Sequence, residues 1–367
     1  MAGGQGAARQ GHRRRTPARA VHPRQAPGPG RLSGAAGFLF RGLHPQVALG
    51  TATDRYAGWL GQIYTPARYT GRVTRRAHEV GGRSYVEEVL PVESVEEYFE
   101  HFGALEIDFT FYRPLLDEHL RPTETFHLVR TYAGHLAGDD RLFLKAPQAV
   151  VAPRLRRGGG FVANPDYLDA DFFTHRFYAP AVKLLKERLG GILFEQEYRR
   201  AADRDAPEDE AADLERFFRR IPPDKRYHLE LRTEGYLSAP VFDVLARMGV
   251  GQALSHWTWL PPLAEQLERA GGRFFNEGGE VLIRLMTPHG MRYEVAYAKA
   301  HPFDRLVEGM LSERMIGETA AIMRRAVAAG RHVTVIVNNR AGGNAPLIAE
   351  RLVERFRSGP GTEAPPA

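Results

Sequence analysis

Eight short apolar runs, each followed by a helical or loop-and-helix stretch, recur along the chain, and this alternation sharply limits the folds open to it. The runs are Val47–Thr51, Ala104–Phe111, Leu142–Ala146, Gly191–Glu195, Tyr227–Arg232, Gly251–Ser255, Val281–Leu285 and Val333–Asn338. Their largely apolar cores suit strands buried on both faces, as in a parallel sheet. Between them, helical patterns are expected at Glu124–Leu136, Phe172–Leu189, Asp209–Ile221, Pro240–Met248, Pro262–Ala270, Phe303–Ala329 and Ala345–Phe356. Ser94-Val-Glu-Glu97 reads as a capping box opening a helix through Phe102, and Gly190 as the stop of the Phe172–Leu189 helix. Eight strand-then-helix units predict an α/β fold, a (β/α)8 TIM-type barrel. A doubly wound open sheet is the rival, but no Gly-x-Gly-x-x-Gly follows an early strand. The stretches 54–92, 150–167 and 286–301 read as long loops, and all follow strands, so they should hang over the C-terminal rim where barrels bind ligands.

Charge narrows the function classes. The net charge is +6, yet residues 1–36 hold seven arginines and no acid, so the remainder carries −1. The basic balance therefore belongs to a Gly/Ala/Pro/Arg-rich tail that cannot bury a core and is expected to be disordered. A start set too far upstream would explain it as well as a functional basic arm. A second tail is expected over 358–367, leaving one domain over 37–357. With no cysteine in the chain, disulfides, thiolate nucleophiles and Cys-ligated zinc are excluded. No run approaches the ~20 apolar residues of a membrane span. A cytoplasmic protein without a membrane partner is expected; the oligomeric state is left open.

The strand ends carry the chemistry. They present Thr51; Glu106, Asp108 and Thr110; Lys145; Glu195 with Gln196; Glu230 and Arg232; Ser255-His256; Arg284; and Asn338-Asn339. Period-two alternation puts Glu106, Asp108 and Thr110 on one face of their strand, and Glu230 with Arg232 on one face of theirs. Charges inside a barrel are costly unless paired, so these should meet, either as a polar ligand pocket or as an ion-pair network closing the mouth.

At these same positions the chain resembles a known family, the YecE-like proteins (domain of unknown function 72). The resemblance rests on Gly50-Thr51 with Trp59-Leu-Gly-Gln-Ile-Tyr64-Thr-Pro66, on Glu106-Ile-Asp-Phe-Thr110-Phe-Tyr112-Arg113, and on Phe143-Leu-Lys145-Ala-Pro147. Leu229-Glu230-Leu-Arg232 and Asn338-Asn339 with Gly342-Gly-Asn-Ala345 complete it. It implies a barrel similar to those of the sugar isomerases and endonuclease IV, but no settled activity, since fold does not fix function. The chain departs from the family pattern at Glu195-Gln-Glu-Tyr198, at Thr233–Tyr236 and at Met286-Thr287, and has an unusual insertion over 71–88.

Glu230 is the first choice for a general base, with Glu106 or Asp108 next, and Lys145 for stabilising an oxyanion or holding a phosphate. Thr51, Trp59, Tyr64, Thr110, Tyr112, Arg113, Glu195, Arg232, His256, Arg284, Asn338 and Asn339 are candidate ligand-binding residues. Glu106, Asp108, Glu195 and Glu230 with His256 could ligate a divalent metal, but the nearby cations oppose one, so no metal or other cofactor is assigned. Gly342-Gly343-Asn344, opening the last helix, is a candidate anion site. The favoured ligand is a small sugar or phosphorylated molecule, with acid/base catalysis that needs no metal. Nucleic acid is the alternative partner, held by rim arginines including those of Arg154–Arg157 and by exposed aromatics. A non-catalytic barrel binding a ligand or protein is the third reading.

Overall fold

The structure, a computed structural model, describes residues 37–359. The tail expected over 1–36 lies outside them, as does the one from 358 apart from Ser358 and Gly359. Thirteen strands run in chain order: β1 (Val47–Ala52), β2 (Thr74–Val80), β3 (Arg83–Val89), β4 (Ala104–Ile107), β5 (Arg141–Lys145), β6 (Arg154–Arg157) and β7 (Gly160–Ala163). They continue as β8 (Leu189–Glu195), β9 (Tyr227–Glu230), β10 (Gly251–Gln252), β11 (Leu254–His256), β12 (Glu280–Leu285) and β13 (His332–Val337). Nine of them form one parallel sheet in the order β10-β9-β8-β5-β4-β1-β13-β12-β11. The two ends of that order, β10 and β11, are separated in the chain only by Ala253, so the expected sixth strand is present but broken. One half pairs with β9 and the other with β12, which brings the sheet round into an α/β barrel of the TIM type.

Alternation sorts the side chains. Ala104, Phe143, Leu193, Leu282 and Ile336 point inward and fill the barrel, while the opposite faces of the same strands join the larger core against the surrounding helices. Packing inside is tight. A Cβ on Gly190 would lie 2.6 Å from Phe143 Cε2, and one on Gly191 2.7 Å from Phe143 Cδ1. Gly190 is therefore a strand residue that makes room for a ring, and not the helix stop expected of it.

Other expectations are corrected. The strand expected over Ala104–Phe111 ends at Ile107, because Asp108 turns into the helical region and Phe109–Phe111 form a 3-10 turn. The Thr110 hydroxyl fixes that turn by donating to the Lys145 and Ile107 carbonyls, so Thr110 does not continue the face of Glu106. Ser94 caps nothing: a 3-10 turn over Val92–Ser94 runs straight into the helix Val95–His101. Glu97 instead accepts bonds from Thr65 and Tyr69. The long helix expected over 303–329 is confined to Glu313–Ala328, where Ser312 accepts from Met315 N–H. A separate helix, Tyr293–Ala300, occupies the stretch read as loop. Two of the expected rim loops hold antiparallel hairpins, β2–β3 and β6–β7.

A charge-saturated floor and an open rim

Arg284 sits at the centre of the barrel mouth, fully buried. Its Nε and Nη2 donate to the two oxygens of Glu106 at 2.8 and 2.6 Å. Its Nη1 donates to Glu195 at 3.0 Å and also to Glu230. Arg232 reaches Glu195 at 2.9 Å and Glu230 at 3.2 Å, and Lys145 lies 3.0 Å from Glu195 and 3.7 Å from Glu106. Three carboxylates thus meet three cations. The pairing is what makes the burial tolerable, since each ion left alone there would cost several kcal/mol. Burial by itself would raise the Glu195 carboxyl, but Arg232, Lys145 and Arg284 hold it well below the usual carboxylate range. Strand-end reasoning picked all six residues, and inward alternation brings them together.

The same geometry changes their roles. Both Glu230 oxygens face an arginine and the residue is 0% exposed, so neither oxygen is open to a ligand in this arrangement. For a metal the donor set does not fit either, because Lys145, Arg232 and Arg284 already occupy the carboxylates. Among the described residues, no group of three or more potential ligand side chains could hold a metal ion.

Above this floor the rim is different. Asp108, half-buried at the turn after β4, makes no ion pair or side-chain hydrogen bond among the described residues. Burial raises its pKa; Lys145 and Arg340 oppose that shift, while Glu106 and Glu195 add to it. Arg340, on the 3-10 turn Asn339–Ala341 beyond β13, also has no ion pair among the described residues. Its guanidinium lies 4.5 Å from the Tyr293 ring centroid, and its Nε is buried without a hydrogen-bond partner. Around them stand exposed aromatics: Tyr112 at 78%, Trp259 at 44%, Tyr198 and Tyr293. Arg232 lies 4.8 Å from the Trp257 ring, and Lys145 5.8 Å from that of Phe111. Arg113 is exposed and pairs with Glu124.

Several expected ligand residues lie elsewhere. Thr51 is buried on the outer face of β1, bonded to the Thr53 carbonyl and the Tyr98 hydroxyl. Trp59 is fully buried and donates to Asn339 Oδ1, which also accepts from Ala345 N–H. Tyr64 stacks on Trp59 and donates to the Asp54 carbonyl. These residues fasten the first long loop to the start of the last helix. Asn338 accepts from Arg340 N–H and so sets the turn that presents it. The helix start proposed for an anion is already served, since Asn339 takes Ala345 N–H and Asn344 takes Leu347 N–H. His256 is buried with its ring 4.2 Å from that of His289, and burial together with His289 lowers it to about 3. It belongs to the wall, not to the mouth. The arginines of 154–157 lie on the β6–β7 hairpin.

Arg340 and Tyr293 escaped the sequence reading, in which Glu197 stands only as part of a departure from the family pattern. Arg340 follows the Asn338-Asn339 strand end directly and could have been found by extending the strand-end rule one turn further. Tyr293 begins a helix in a segment that reads as loop. A cavity of about 600 Å³ also opens between the β2–β3 hairpin and residues 301–304, lined by Tyr56, Glu87, Glu88 and Phe303 among others. None of the floor residues lines it.

Comparison with known proteins settles the family. The protein family of unknown function DUF72 matches residues 49–367. The chain belongs to it. A solved DUF72 family protein from Enterococcus faecalis V583 is 13% identical and superimposes with a TM-score of 0.51, covering 85% of this chain and 95% of that one. Another, from Thermotoga maritima MSB8, is also 13% identical, with a TM-score of 0.49 and coverage of 86% and 100%. No curated protein matches the chain. DUF72 membership fixes the fold and leaves the activity to be argued from the mouth itself. Among the described residues, no helix of this DUF72 chain is long and apolar enough to cross a membrane.

Proposed function

We propose that the barrel mouth binds a small anionic molecule, a phosphorylated sugar or a compound of similar size, with Asp108 as the group placed for proton transfer. The observation that carries this reading is the pairing state of the charges. The floor is neutralised within itself, whereas Arg340 and Asp108 stand at the rim without ion pairs. A cation with an unused buried donor binds an anion by charge-assisted hydrogen bonds. A carboxyl held above its ordinary range by burial, beside a lysine, is suited to giving and taking a proton. Glu230, Glu106 and Glu195 act here by fixing Lys145, Arg232 and Arg284 in place.

The test is calorimetric titration of inorganic phosphate and a panel of sugar phosphates into the wild type, Arg340→Ala and Asp108→Asn. Binding that is lost in Arg340→Ala and kept in Asp108→Asn supports the reading; turnover of any bound compound should then fail in Asp108→Asn. Absence of any phosphate-dependent heat in the wild type sinks it. The nucleic-acid reading draws on the same exposed aromatics. It requires an affinity that falls steeply with salt through several released counterions, and a near-neutral body offers few clustered cations for that.

A further inference from the structure

Beyond the ends of β8 and β11 lies an aromatic surface that the anion site does not use. Tyr198, in the connection after β8, and Trp259, after β11, are both exposed. Their ring centroids are 6.1 Å apart with planes inclined by 33°. Trp257 lies beside them, 6.1 Å from Tyr198, with the Arg232 guanidinium 4.8 Å from its ring. Glu197, next to Tyr198 in the chain, is half-buried and makes no ion pair or side-chain hydrogen bond among the described residues. Exposed large aromatics held in contact with one another at a ligand mouth offer π-faces of negative potential.

We infer that Tyr198 and Trp259 form a sugar-stacking subsite, so that the ligand of this barrel is an anionic glycoside lying across the mouth toward Arg340. The inference rests on the anion-binding reading for the far end of the ligand and adds the near end. Sugar C–H bonds are polarised positive by their oxygens and suit a π-face. Sugar hydroxyls are donors, which is what the free Glu197 carboxylate requires. A phosphodiester backbone would instead be repelled by that carboxylate, and the inclined rings do not make the parallel slot that holds a flat base. Spacing sets the size. Trp259 follows β11 and Arg340 follows β13, two strands away in the sheet order, or roughly 10 Å at ~4.8 Å per strand. One sugar ring does not bridge that gap, whereas two linked rings, or one ring with a charged arm, do.

The experiment uses the full chain on an array of neutral, uronate-bearing and phosphate-bearing oligosaccharides, with AMP and inorganic phosphate titrated separately. Retention of an acidic oligosaccharide is expected, weakened roughly tenfold or more in Trp259→Ala and Tyr198→Ala, as for loss of a stacking platform. Trp259→Phe, which keeps a π-face, should restore much of it. All three variants keep the seven arginines of residues 1–36, so capture by that segment would persist in them. No retained oligosaccharide, retention in both alanine variants as strong as in the wild type, or Trp259-dependent binding of AMP tighter than of any glycan overturns the inference. Phosphate binding lost in Arg340→Ala but kept in Trp259→Ala, with no glycan retained, overturns the sugar subsite alone. Glycan retention without phosphate binding supports the subsite and overturns the anion reading.

Discussion

The floor and the rim of this barrel mouth use the same residue types to opposite ends. On the floor, Glu106, Glu195 and Glu230 are matched against Lys145, Arg232 and Arg284 so completely that the cluster is neutral and inward-looking. In the turns just beyond the strand ends, Asp108 and Arg340 have no ion pair among the described residues and share their surroundings with exposed rings. The difference teaches where to look in such a barrel. Buried charge marks what must not move, and half-buried charge without a partner marks what can meet something new.

Breaking the floor should cost most. Arg284→Gln leaves three buried carboxylates to two cations, and a loss of about 3–5 kcal/mol in stability is expected, read from urea midpoints. Glu230→Gln in the same chain should recover part of it. A buried carboxyl outside the floor sharpens the contrast. Asp54, just after β1, accepts a side-chain hydrogen bond from the Tyr132 hydroxyl at 2.9 Å, its Oδ2 has no partner among the described residues, and burial raises it to about 7 against the pull of Tyr132 and Arg55. The folded form therefore holds its proton more tightly than the unfolded chain does. Stability from this group is present below about pH 4 and is lost as pH rises toward 7, by up to about 4 kcal/mol at ~1.4 kcal/mol per unit. Asp54→Asn should flatten that part of the profile. Glu195 works in the other direction: its depressed carboxyl stabilises at neutral pH, and that stability is lost as the solution becomes acid. At the rim, Arg340→Ala should leave stability within about 0.5 kcal/mol while lowering affinity for phosphate about tenfold or more, in line with ~1.5–3 kcal/mol for a bond to a charged group. The smallest stability effect belongs to Tyr112→Ala, expected within about 0.5 kcal/mol. A larger loss in thermal unfolding would mean that the ring packs into the fold.

Much of this was legible in the chain. Continuous apolar runs such as Val333–Val337 can only be strands buried on both faces, and their polar ends name the floor. Local rules failed where distant partners decide. Ser94-Val-Glu-Glu97 has the letters of a capping box, but Glu97 is claimed by Thr65 and Tyr69, which are near only in space. Asp108 and Thr110 continue an alternating pattern on paper, yet the Lys145 carbonyl draws the Thr110 hydroxyl and ends the strand. Trp59, Tyr64 and Asn339 belong to motif blocks and read there as ligand contacts. In the structure their contacts clasp the first loop to the last helix, which no spacing within one segment can reveal. Arg340 and Tyr293 depend on how two connections, remote in the chain, lean over one opening.

The Phe143 ring, seated against Gly190 and Gly191 below the charged cluster, has a consequence for traffic. With Leu193, Leu282 and Ile336 it fills the barrel below that cluster, which leaves the proposed ligand no way through along the barrel axis. A ligand of the proposed kind would then enter and leave by one route, past Tyr112, Trp259 and Arg340. On that reading, one bound molecule would have to depart before the next could take its place.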